Sequence, residues 1–148
     1  MEQPLAPSLR IGALCERVLE EKDGTLSIIR LIDRVIITAE GKDVPKELPP
    51  GQVPLTAIMS WFNGLGNYEA RIHVDFPDSS SFESPTLPFY LDSLDKVQNL
   101  IVRLVLPVKR PGVYWFNFVL GDEIKSRVPL RVIYQRKELP RSRSEQSI

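Results

Sequence analysis

Cys15 and His73 are the one cysteine and the one histidine of this chain, so any thiolate–imidazole chemistry must use that pair. A cysteine nucleophile needs the imidazole as base, a third group to orient it and a turn that stabilises the developing anion. No such group or turn can be picked out. Cys15 reads instead as a small core residue, and His73 as an exposed strand residue opposite an apolar face. The same two residues are too few for a structural zinc site, which takes several Cys or His ligands. Asp75, Asp78, Asp92, Asp95, Asp122 and Glu123 fall at expected strand ends or loops, where Ca²⁺ could collect its six to eight oxygens. No Asp-x-Asp pair or ligand-spaced loop accompanies them, and aspartate is common in turns for backbone reasons. They read as solvated turn residues. "NGLGN" (63–67) opens no helix and lacks the spacing of a phosphate-cradling loop. No catalytic residue, metal or cofactor is therefore expected.

Aromatic residues are the other candidates. Trp61, Phe62 and Trp115 could lie against a partner protein or stack on sugar rings, since flat rings supply apolar area with shape. Trp61 alternates with Leu55, Ala57 and Met59, which points it toward a core. Trp115 belongs to "PGVYWFNFVLG" (111–121), a strand with apolar residues on both faces. Tyr114, Phe116, Phe118 and Leu120 make one face, and Val113, Trp115, Asn117 and Val119 the other. Asn117 is costly to bury without a partner, so that second face is expected to be partly covered.

The elements that would carry these residues are strands. Thirteen prolines and eight glycines cut the chain into short segments, the spacing of a sandwich or barrel. "TLSIIRLIDRVIIT" (25–38) follows Asp23-Gly24, so 11–20 and 25–32 are expected to form a hairpin. A helix competes for 11–20, because Ile11, Leu14, Cys15, Val18 and Leu19 also make a helical stripe. "NYEARIHVDF" (67–76) alternates most cleanly, with Tyr68, Ala70, Ile72 and Val74 opposite Glu69, Arg71, His73 and Asp75. "DSSSFESP" (78–85) reads as a loop. Gly121-Asp122 joins the strand at 111–121 to "EIKSRVPLRVIY" (123–134), where Pro129 pushes its strand toward an edge or a bulge. Gly66-Asn67-Tyr68 and Gly112-Val113-Tyr114 rhyme. In each the glycine permits a corner and the tyrosine packs inward while its hydroxyl reaches a backbone group, as in a tyrosine corner.

Composition bounds the rest. One domain fits in 148 residues, with 1–9 as an N-terminal segment, 10–134 as the β-sandwich and 135–148 as a mobile tail. Nineteen basic and nineteen acidic residues cancel, which speaks against nucleic acid. "NLIVRLVLPV" is too short and too interrupted for a membrane helix, and the N-terminus lacks a secretion signal's layout. A single cysteine fits a reducing cytoplasm.

"ALCERVLEEKDGTLSIIRLIDRVIIT" together with "PGVYWFNFVLGDEIKSRVPLRV" resembles a bacterial family of small cytoplasmic β-sandwich domains of unknown function. The resemblance rests on Ala13, Cys15, Glu16, Val18, Gly24, Leu26, Ser27, Ile28, Ile29, Asp33, Arg34 and Val35, then on Gly112, Tyr114, Phe116, Asp122, Pro129, Leu130 and Val132. These are core and turn positions, and the resemblance implies a fold and a bacterial cytoplasmic setting without a reaction. The expected fold is an all-β, antiparallel β-sandwich, immunoglobulin-like or a related Greek key, of about seven to nine strands. The expected function is a non-catalytic module for a protein partner or for self-association through an edge strand or the Trp115 face. A module for carbohydrate or Ca²⁺ is the alternative, and a Cys-dependent enzyme the third reading.

Overall fold

The computed structural model describes residues 6–139, which form ten strands in two sheets packed face to face. β1 (Ser8–Glu20), β2 (Leu26–Leu31), β4 (Gly51–Phe62) and β8 (Gln98–Val108) make a four-stranded sheet in the order β2-β1-β4-β8. β3 (Arg34–Gly41), β10 (Glu123–Glu138), β9 (Gly112–Leu120), β5 (Gly66–Asp75) and β6 (Ser81–Glu83) follow one another across the second sheet, and β7 (Leu87–Leu91) adds to β5 beside β6. None of the described residues is helical, so no helix is long and apolar enough to cross a membrane.

The hairpin forms as its turn residues dictate. Glu21 and Thr25 close a three-residue loop in which Gly24 takes φ 89°, the left-handed position that a G1-bulge turn needs. Asp23 secures it, its carboxylate accepting the Thr25 N–H at 3.0 Å and the Thr25 hydroxyl at 2.6 Å. Register runs from Glu20 opposite Leu26 to Cys15 opposite Leu31, so 11–20 is strand and not helix. The helical stripe loses because the strand pairs on both sides: β1 continues along β4, with Leu14 opposite Ala57 and Ser8 opposite Phe62.

Between the sheets lie Trp61, Ile72, Val74, Leu91, Leu106, Phe116, Phe118 and Leu130, all essentially without solvent contact. Alternation places them: on β5, Ala70, Ile72 and Val74 point inward while Arg71, His73 and Asp75 stay half-buried outside. β4 departs from that pattern, because Thr56, Ile58 and Ser60 are as buried as Leu55, Ala57 and Met59. Leu26 and Ile28 line a cleft of about 360 Å³ with Ile11 and Ile58, and Thr56 Oγ1 donates to the Glu16 carbonyl at 3.2 Å.

Both glycine–tyrosine corners exist. Tyr114 Oη donates to the Arg110 carbonyl at 2.7 Å, and Tyr68 Oη bonds to both N–H and C=O of Leu65 at 2.8 Å.

Several expectations need correction. The strands number ten rather than seven to nine, and one pair is parallel: β3 runs alongside β10 from Arg34 opposite Arg131 to Gly41 opposite Glu138. "TLSIIRLIDRVIIT" is two strands in different sheets, broken where Arg30 takes φ 58° and where the Asp33 carbonyl accepts the Arg131 N–H. "DSSSFESP" contains β6, and Ser84 holds the Ile72 backbone through its hydroxyl at 2.8 Å. β1 begins at Ser8 and β10 runs to Glu138, so the folded body is wider than 10–134. The remainder of the expected tail, 140–148, lies outside the described residues. Pro129 sits just before β10 gains β3 as a neighbour, where its missing N–H costs no ladder bond; the bulge falls earlier, between Ile124 and Ser126.

Candidate functional site

The outer face of the six-stranded sheet is built by the residues that alternate with the core. Register sets Arg127, Asn117, His73 and Glu83 in one row across four strands, with Pro129, Trp115, Asp75 and Ser81 in the next. Glu83 Oε1 accepts from Arg71 Nε at 3.0 Å and faces His73 Nδ1 at 3.4 Å. The other ring nitrogen of His73 lies 3.2 Å from Asp75 Oδ1. Asp75 Oδ2 accepts from Asn117 Nδ2 at 2.9 Å and stands 3.7 Å from the Arg127 guanidinium, which lies 4.2 Å above the Trp115 ring. Beneath these side chains Asn117 is 1% exposed; its Nδ2 also donates to the His73 carbonyl at 2.9 Å, while its Oδ1 has no partner among the described residues.

The Arg71 guanidinium, and then His73, hold the Glu83 carboxyl below its ordinary value of 4.5. A lowered carboxyl stabilises the fold above the unfolded-state value, and that contribution disappears as pH falls through the lower folded value. Glu83→Gln is therefore expected to lose a small amount of stability above about pH 4.5, since exposed pairs are worth little, and to converge with the parent as pH falls, which flattens its acid limb. Urea unfolding across a pH series reads this; an acid limb unchanged in the variant would refute it.

The structure places the sequence candidates apart. Cys15 follows the core residue Leu14 on β1 and so points out of the four-stranded sheet, whereas His73 points out of the other sheet. The whole sandwich separates them, and burial pushes the Cys15 thiol up, away from the thiolate form. Trp61 is fully buried and stacked on Phe89, with centroids 6.0 Å apart, so it contributes core and not surface. Phe62 is half-buried at the end of β4, and Trp115 is half-buried under Arg127. The loop carboxylates serve their own neighbourhoods: Asp78 binds the Ser80 N–H at 3.0 Å, Asp92 faces Lys96 at 3.7 Å, and Glu123 pairs with Lys125 at 2.7 Å. Among the described residues, no group of three or more His, Cys, Asp or Glu is disposed to hold a metal ion.

Next to the ion-paired network opens a cleft of about 920 Å³. Phe89 connects it to the core, lying between Trp61 and Tyr68, whose ring centroid is 5.6 Å away. Pro88, Tyr90 and Leu120 form its apolar walls, with Tyr90 53% exposed. Asn67 lies opposite Tyr90 and Glu69 opposite Pro88, so amide, carboxylate and ring share one side of the β5–β7 pair. Cleft and network meet at Gly121, whose N–H donates to the Glu69 carbonyl at 2.9 Å and whose carbonyl accepts from Arg71. Sequence reasoning passed over Tyr90, though a signal was available. In "TLPFYLD" adjacent aromatics must point to opposite faces of a strand, so one of Phe89 and Tyr90 had to face outward.

No family model matches the chain, and no curated protein matches it.

Proposed function

We propose that this chain is a non-catalytic binding module of the cytoplasm, acting as a protein-interaction or scaffold domain through the outer face of its six-stranded sheet. The observation that carries the reading is the cleft between β5, β7 and the β9–β10 turn. Its volume of about 920 Å³, apolar and aromatic walls, and few polar groups match the general character of binding sites, with Tyr90 exposed as an anchor. The neighbouring ion pairs give the surface a defined charge pattern, which sets the choice of partner more than raw affinity. Selection of a displayed peptide library on the immobilised protein tests the reading. Enriched peptides are expected, and their binding should be lost on Tyr90→Ala. An empty selection, or peptides indifferent to Tyr90→Ala, would overturn it.

One observation favours a small-ligand reading as the alternative: the exposed Tyr90 ring lies beside the Asn67 amide and the Glu69 carboxylate, an arrangement that also suits a sugar. Thermal stabilisation by a glycan, abolished by Tyr90→Ala, would select that reading.

A further inference from the structure

Charge pairing is complete across the outer network and stops at the cleft. Asp75 has Arg127, Glu83 has Arg71, and Glu123 at the cleft's rim has Lys125. Glu69 is exposed, and among the described residues its carboxylate has neither an ion pair nor a hydrogen bond. Among the described residues, no lysine or arginine lines the cleft. An unmatched carboxylate therefore stands over an apolar, aromatic hollow, in the same sheet as carboxylates that are matched.

We propose that this cleft receives an extended basic peptide segment, with an arginine or lysine side chain lying against Tyr90 and paired with Glu69. This rests on the protein-interaction reading and deepens it. The chemistry of the walls decides the class. A cation over a tyrosine face is attracted by the ring's quadrupole, and a neighbouring carboxylate adds a charge-assisted bond. Leu120 and Pro88 offer apolar surface to the residues flanking the cation, as aromatic- and proline-lined grooves do for extended chains. A metal ion is poorly served, because Glu69 and the Asn67 amide fall well short of the six to eight oxygens that Ca²⁺ takes. Nucleic acid would bring phosphates toward Glu69 and Glu123, against the charge. A neutral sugar would leave the Glu69 charge unmatched.

Calorimetry with acetyl-Pro-Pro-Arg-Pro-Pro-amide, its lysine counterpart and its citrulline analogue tests the proposal; citrulline keeps the shape of arginine and removes the charge. The basic peptides are expected to bind about tenfold more tightly than the citrulline peptide, as befits a hydrogen bond to a charged group. Raising the salt concentration should narrow that gap. Glu69→Gln should weaken the basic peptides by roughly twofold to fivefold and leave the citrulline peptide unchanged, whereas Tyr90→Ala should weaken all three. Both side chains are exposed, and melting curves superimposable on the parent's will show the variants folded. Equal binding of arginine and citrulline peptides would overturn the cationic specificity while leaving the interaction reading in place. No binding of any of them would overturn the peptide proposal, and the interaction reading would fall with it only if the displayed library also came back empty.

Discussion

Trp61→Ala is expected to destabilise the fold by about 3–5 kcal/mol, the range for removing a large aromatic from a packed core. Trp61 has no solvent contact, and its ring stacks on Phe89 at 20° between planes. Truncation leaves a cavity that the surrounding strands can fill only in part, because β4 is hydrogen-bonded along both edges, to β1 and to β8. Trp61→Phe should behave differently. Trp61 Nε1 is buried without an acceptor among the described residues, and a buried polar group left unsatisfied costs about 1–3 kcal/mol. The smaller ring loses apolar contact but also removes that unmet donor, so its net cost should be less than half that of alanine. Urea unfolding of the two variants measures the difference, and equal losses would disprove the account. Phe89 also touches Tyr68 and lines the cleft, so Trp61→Ala should weaken peptide binding while Trp61→Phe largely preserves it.

Gly112→Ala is the second large effect, expected at about 2–4 kcal/mol from backbone strain and overpacking together. Gly112 has φ 139°, and an added Cβ would lie 2.9 Å from Pro77 Cγ and 3.1 Å from Pro77 Cβ. A proline ring cannot swing aside. The neighbouring corner would move as well, since Tyr114 reaches back to the Arg110 carbonyl and packs against Phe76 at 5.3 Å. Gly66 is the control. It begins the other corner with φ 114°, but none of the described residues lies within 4 Å of its added Cβ, so Gly66→Ala should cost only the strain of a positive φ, about 1–2 kcal/mol. Thermal or chemical unfolding ranks the pair, and equal costs would show that the Pro77 contact is relaxed without penalty.

Those two glycines look alike in the sequence and differ in the fold, and the same division runs through the molecule. Local patterns were legible. Asp23-Gly24 marked the hairpin, Gly121-Asp122 joined β9 to β10, and alternation along β5 put Ile72 and Val74 inside with His73 and Asp75 outside. Asn117 was readable as a polar residue in need of a partner, and it has two acceptors for its amide nitrogen. The break at Ile32–Asp33 was not legible, because it depends on the Asp33 carbonyl accepting from Arg131, nearly a hundred residues away. Parallel pairing of β3 with β10 carries no turn signal, since the two strands lie near opposite ends of the chain. The buried outer side of β4 was hidden for a similar reason: Ile58 shares a cleft with Leu26 and Ile28 of β2, a strand that does not pair with β4.

The amino-acid sequence by itself determined that this chain is all β, where its tight turns lie, and which side of each alternating strand is apolar, because turn chemistry and two-residue periodicity act between neighbours. Only the tertiary structure decided which strands share a sheet, that Trp61 is core and Trp115 lies beneath Arg127, and that Glu69 is left unmatched beside Tyr90. Pairing, burial and charge neutralisation depend on residues far apart in sequence, and their energies exist only once the sheets have come together.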